Sequence, residues 1–176
     1  PGRMASVIGL DLAVIQDICA TAKVEIANIN CPGQIVISGG IKEIEEASRL
    51  AEERGAKKVI VLEVSGAFHS SFMQQACLKL SGELNKIKIS VPRIPVVSNV
   101  TAKAARQPQE IKDNLIKQVS GSVLWEDSVR FMLSKGVTRY FEFGPGKVLK
   151  GLMRRIDETA LVTNIEKKQD IDNLAG

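Results

Sequence analysis

At 176 residues the chain has the length of one domain or two small ones, and its 44% hydrophobic content supports a substantial core. Its 25% charged fraction and mean hydropathy of +0.03 are those of an ordinary globular chain, and apolar runs such as Val59 to Leu62 fall far short of the roughly 20 residues of a bilayer span, so no membrane partner is expected. The net charge of +4 is spread along the chain and says little about partners.

Cys19, Cys31 and Cys77 contain no C-x-x-C pair, and one histidine cannot complete a usual zinc set. Free thiols, a reducing cytoplasmic compartment and no metal are therefore expected. Pro1-Gly2-Arg3-Met4 leads into a strand pattern instead of a long apolar segment, so no signal peptide is expected either.

The first 62 residues read as six elements. Met4 to Gly9 is a strand, and Asp11 caps a helix whose apolar face is Ile15, Ile18, Cys19 and Ala22. Strands at Val24 to Ile29 and Gln34 to Ser38 are joined through Asn30-Cys31-Pro32-Gly33, where Pro-Gly predicts a hairpin turn. A helix from about Lys42 to Arg54 buries Ile44, Ala47 and Ala51 and stops at Gly55, and Lys58 to Leu62 reads as a buried strand. The order βαββαβ is that of the ferredoxin-like split unit.

Beyond it the pattern changes to longer helices separated by single strands. Met73, Ala76, Cys77, Leu80, Leu84 and Ile87 line one helical face, and Ile94 to Val97 is a short strand. Helices then fit Gln109 to Val119, by Ile111, Leu115 and Val119, and Trp125 to Lys135, by Trp125, Val129 and Met132; Arg139 to Phe143 is a strand, and Gly144-Pro145-Gly146 turns it into a helix with Val148, Leu149, Leu152, Met153 and Ile156 inward. Ile165 onward is polar and expected to be loose. Alternating strand and helix predict a parallel sheet covered by helices, so the fold class is α/β with an α+β insert: residues 1–64 as the small subdomain and 65–176 as part of a larger one. The second part holds only two or three strands, which predicts an exposed sheet edge and apolar face.

The only histidine, His69, lies where the βαββαβ pattern ends, after the small-residue turn Ser65-Gly66-Ala67 and before an amphipathic helix. Imidazole, with an ordinary pKa of about 6.5, suits proton transfer near neutrality, so His69 is the candidate general base. Such a base needs a nucleophile, typically the serine of a G-x-S-x-G elbow, and this sequence has none. Gly144-Pro145-Gly146-Lys147 fails the phosphate-loop pattern, because Val148 stands where Ser or Thr is required. RNA binding on a ferredoxin-like sheet needs stacking aromatics, and none precedes Phe68, so no nucleic-acid partner is expected.

Six segments in order carry a family resemblance: Met4 to Leu10, Asn28-Ile29-Asn30-Cys31-Pro32-Gly33-Gln34, Gly66-Ala67-Phe68-His69-Ser70, Pro95-Val96-Val97-Ser98-Asn99-Val100, Gln118 with Trp125 downstream, and Phe143 to Leu149. Together they resemble the malonyl-CoA:acyl carrier protein transacylases of fatty-acid synthesis, relatives of polyketide synthase acyltransferase domains. The resemblance implies a ferredoxin-like insert followed by the C-terminal part of an α/β-hydrolase-like core. It implies malonyl-CoA and acyl carrier protein as partners and no cofactor.

By the same resemblance His69 is the base, oriented by the main-chain carbonyl of Gln118. Asn28, Asn30 and Asn99 lie near the cleft, and Phe68 fills the space that an α-methyl group would need, which implies malonyl over methylmalonyl. The family's G-Q-G-S loop, G-H-S-x-G serine and malonyl-pairing arginine are not in this sequence. The chain is therefore expected to be a C-terminal portion, inactive alone, with a missing N-terminal half as a further partner. The alternative is a non-catalytic interaction domain derived from the same fold.

Overall fold

The computed structural model describes residues 2–174. Its elements are β1 (Gly2–Ile8), α1 (Leu12–Ala22), β2 (Glu25–Cys31), β3 (Gln34–Gly40), α2 (Ile41–Glu53), β4 (Lys58–Val61), a 3₁₀ turn (Ser71–Met73), α3 (Gln74–Leu84), β5 (Val96–Ser98), β6 (Lys103–Ala105), α4 (Pro108–Gln118), β7 (Val123–Leu124), α5 (Trp125–Ser134), β8 (Arg139–Phe143), α6 (Val148–Ile156), β9 (Leu161–Ile165) and α7 (Lys168–Asp172). The chain divides into two compact units, one ending at Ser128 and the other starting at Val129.

In the first unit a five-stranded sheet has the order β4-β1-β3-β2-β7. The first four strands pair antiparallel in the 4-1-3-2 order of the ferredoxin-like unit, as the sequence predicts. The hairpin forms where expected: Cys31 sits opposite Gln34, and Gly33 takes φ +69°, a left-handed value a side chain would resist. Helices α1 and α2 cover the sheet through the predicted positions, Ile15, Ile18, Cys19 and Ala22 on one and Ile44, Ala47 and Ala51 on the other. Ile15, Ile18, Ile37 and Ile44 are essentially sealed from water, each stabilising the fold by about 1.5–3 kcal/mol. All three cysteines are buried, and none is in a disulfide. The fifth strand, β7, arrives from far along the chain and pairs parallel to β2, Asn28 opposite Val123 and Ile29 opposite Leu124.

Local pattern and structure part company in several places. The strand expected to be buried at Lys58 to Leu62 is the outermost strand β4, and Ile60 and Val61 are exposed on it. An all-apolar run marks a strand but not its place in the sheet. Asp11 occupies the first cap position without a side-chain hydrogen bond. Of the face predicted for α3 only Cys77 is fully buried, and on α4 the buried residue is Asn114 while Leu115 is exposed. The short strand expected at 94–97 forms one to two residues later and pairs antiparallel with β6.

In the second unit β8 and β9 pair in parallel, Arg139 opposite Leu161 through Phe143 opposite Ile165, with α6 between them in sequence. This is the predicted strand-helix pattern with one more strand than the sequence reading placed. Leu152 and Met153 on α6 are buried, whereas Val148 and Leu149, also expected inward, are exposed. Phe143 is 72% and Leu161 64% exposed, which is the expected open apolar face of a short sheet. The stretch expected to be loose after Ile165 carries helix α7, where Asp170 accepts hydrogen bonds from the amides of Glu166 and Lys167; residues 175–176 lie outside the described residues. Among the described residues no helix is long and apolar enough to cross a membrane.

Candidate active site

His69 sits in the first unit on the connection between β4 and the 3₁₀ turn. Its backbone takes φ +55°, a left-handed conformation costing a non-glycine residue about 1–2 kcal/mol. Neighbouring hydrogen bonds hold it there. Ser70, completely buried, donates its hydroxyl to the carbonyl of Ala67 at 2.6 Å, closing a tight turn around Phe68 and His69. Lys23, the cap of α1, and Ala102 share this left-handed region, but at His69 it falls on a titratable side chain, where retained strain is a mark of functional sites.

The half-buried imidazole reaches 49 residues along the chain: Nδ1 lies 3.0 Å from the main-chain oxygen of Gln118 at the end of α4. A carbonyl has no hydrogen to give, so Nδ1 must carry the proton and donate it. That leaves the Nε2 lone pair free, the state a general base requires. The Gln118 side chain meanwhile donates Nε2 to the carbonyl of Gly121 at 3.1 Å, tying down the turn that presents its backbone oxygen.

Gly121 accepts no side chain at this turn. A Cβ there would lie 2.8 Å from Val100 Cγ2 and 2.9 Å from the Lys117 carbonyl oxygen, which already receives the Gly121 amide at 2.8 Å. Gly121→Ala is expected to destabilise the fold by about 1–3 kcal/mol, read by urea unfolding, and to shift the lone histidine's NMR signal. An unshifted signal would show that the Gln118 turn does not control the ring.

The structure brings His69 and Gln118 together, and it places Asn99 near Gln118. Both line an open cavity of about 180 Å³ with Val97, Ile111, Asn114 and Leu115. Asn114 is buried there with its Nδ2 unpartnered, and Gln118 Oε1 is likewise buried without a partner. The Asn99 carbonyl accepts the amide of Leu124, linking the strand-end turn to β7. Asn28 and Asn30 lie half-buried on β2, and among the described residues no hydrogen bond joins them to the imidazole. Phe68 leaves over a third of its surface exposed beside His69. The sequence carries little signal for Asn114, whose helical neighbours three and four residues away are Glu110, Ile111, Lys117 and Gln118.

In the second unit Gly144 to Lys147 form a tight strand-to-helix turn, and the anion position at the start of α6 is filled from within. Glu142 accepts the amides of Leu149 at 2.8 Å and Lys150 at 3.0 Å, and Asn164 Nδ2 at 2.7 Å. Partial desolvation pushes the Glu142 carboxyl up, but the two amides, Asn164 and the Lys150 charge outweigh it and hold the group below the usual range. A protein carboxylate thus stands where a phosphate loop would hold its ligand.

The known proteins that this chain resembles are carrier-protein acyltransferases. The similarity of sequence and structure is specific within that class. A scan against protein-family models finds no match. The chain is 40% identical to malonyl CoA-acyl carrier protein transacylase of Bacillus subtilis (strain 168), over 97% of its own length and 56% of the relative's. It is 38% identical to the Staphylococcus aureus (strain COL) protein of the same name, over 97% and 57%. The crystal structure of an acyl carrier protein S-malonyltransferase from Vibrio cholerae superposes with a TM-score of 0.95 at 37% identity, over 98% of this chain and 58% of that one. The chain therefore matches the C-terminal portion of malonyl-CoA:acyl carrier protein transacylase, and it spans somewhat over half the length of these relatives.

Proposed function

We propose that this polypeptide is the base-bearing part of an enzyme that moves a malonyl group from coenzyme A to the phosphopantetheine thiol of acyl carrier protein. The observation that carries the reading is the His69 Nδ1 to Gln118 oxygen contact, which leaves Nε2 as a free base in a chain 40% identical to a named transacylase. A solved complex of a type II polyketide synthase acyl carrier protein with its malonyl-transacylase, TM-score 0.94 at 34% identity, supports the carrier protein as partner.

In this mechanism His69 Nε2 takes the hydroxyl proton of a serine as its oxygen attacks the malonyl thioester carbonyl. The C–S bond then breaks, and the imidazolium gives that proton to the departing CoA thiolate, leaving a malonyl-serine ester. In the second half His69 deprotonates the carrier's thiol, which attacks the ester, and the proton returns to the serine oxygen. The Gln118 carbonyl stabilises the imidazolium in both halves, in the place a carboxylate occupies in a Ser-His-Asp triad.

The sequence contains no G-x-S-x-G, so the serine comes from a segment outside these 176 residues, and the isolated chain is inactive. We assign residues 1–64 to the small subdomain and 65–176 to part of the large one, a cytoplasmic protein, with Asn28, Asn30 and Asn99 toward the substrate.

The test is a malonyl-transfer assay with carrier protein, run on the chain alone and after adding a segment that carries the nucleophile. Activity only in the second case is expected. Transfer by the chain alone would refute the absent nucleophile, and no rescue would favour a non-catalytic interaction domain.

Phe68 sets acyl selectivity in this reading. Phe68→Ser, at an exposed ring whose loss costs the fold little, is expected to raise methylmalonyl over malonyl turnover about tenfold in the reassembled enzyme, read from kcat/KM for each thioester. Equal use of the two thioesters by the unaltered protein would sink the assignment.

A further inference from the structure

The geometry points to Glu25 as a positioning residue for His69. Glu25 is the first residue of β2, a strand hydrogen-bonded on both sides, where it sits opposite Ser38 of β3. Its carboxylate oxygen Oε1 accepts two hydrogen bonds from Ser71, one from the backbone amide at 2.9 Å and one from the hydroxyl at 2.6 Å. Charge-assisted bonds of this kind are the stronger class. Ser71 opens the 3₁₀ turn two residues after His69, so the strained histidine is pinned on one side by the Ser70–Ala67 turn and on the other by Glu25.

The second half of the argument lies at the acceptor. Gln118 is followed by Ser122, whose hydroxyl donates to the main-chain oxygen of Ile26 at 2.5 Å, and by β7, which pairs with β2 at Asn28 and Ile29. Four residues within one stretch of a single strand therefore hold both ends of the His69–Gln118 contact: Glu25 the imidazole's backbone, and Ile26, Asn28 and Ile29 the segment that follows the carbonyl. Strand β2 sets the separation of donor and acceptor, and Glu25 is its link to the donor side. Removing that link frees the histidine to relax from its left-handed backbone and swing Nδ1 away from the carbonyl.

This inference rests on the reading of His69 as the base, but its readout needs no activity, so the two can fail separately. The chain has a single histidine, which makes its two ring nitrogens observable without assignment by ¹⁵N NMR. At about pH 8.5, where an ordinary imidazole is neutral, the unaltered chain is expected to show Nδ1 protonated and Nε2 bare, the signature of one tautomer.

Glu25→Ala is expected to lose that signature, the two nitrogens moving to tautomer-averaged shifts, with the thermal midpoint little changed because the pair is exposed. Glu25→Gln keeps an acceptor oxygen and is expected to retain it. Should Glu25→Ala not fold, Ser71→Ala, which removes the hydroxyl donor and leaves the amide, is the deciding variant and is expected to move both shifts part of the way. Overturning results are a single-tautomer pattern unchanged in Glu25→Ala, an unchanged pattern in Ser71→Ala where that variant decides, a Glu25→Gln spectrum that matches Glu25→Ala, or an unaltered chain already averaged.

Discussion

His69→Asn, in the chain reassembled with a nucleophile-bearing segment, is expected to lower malonyl transfer by about 10²–10⁴-fold, the usual contribution of a positioned acid–base group. Asparagine is the informative replacement because position 69 has φ +55°, and among non-glycine residues Asn tolerates that region best. An alanine would mix backbone strain with lost chemistry. The carboxamide keeps a donor for the Gln118 oxygen yet cannot accept a proton near neutrality, so the fold and the thermal midpoint should hold while kcat falls. A loss below tenfold would mean that another group serves as base.

The largest stability effect is expected in the sheet that carries the site. Ile37 lies on β3, flanked by β1 and β2, and its side chain is wholly buried under α1 and α2 with Ile15, Ile18 and Ile44. Ile37→Ala removes three carbons from a core whose neighbours are themselves fixed on strands and helices, so little collapse can fill the space. A loss of about 2–5 kcal/mol is expected, read as a lower urea midpoint. The unfolding slope should stay constant, since the surface exposed on unfolding barely changes. A loss under 1 kcal/mol would mean that the core relaxes around the cavity.

Gln118 shows most plainly where sequence reading stops. Its place near the base came from family resemblance, because a carbonyl oxygen belongs to every residue and leaves no side-chain signature. The same limit hid the Glu25–Ser71 link, a pairing of two ordinary polar residues 46 positions apart. Asn114 marks a different limit. Helical periodicity identified Ile111, Leu115 and Val119 as the apolar face of α4, but the side that is covered depends on what packs there, and Asn114 is buried while Leu115 is not.

Sequence alone determined the order and type of the first six elements, the turn at Pro32-Gly33, the inward faces of α1 and α2, and the position of His69 at the exit of the split unit. Each rests on local chemistry: side-chain period, a turn residue's backbone preference, one titratable group at a junction. Tertiary structure alone decided that β7 returns to pair with β2, that β4 is an edge strand, that the start of α6 is filled by Glu142, and that β2 anchors both partners of the imidazole contact. These depend on which distant backbone groups meet across the sheet, and hydrogen bonds between main-chain atoms are available to nearly any sequence until packing selects among them.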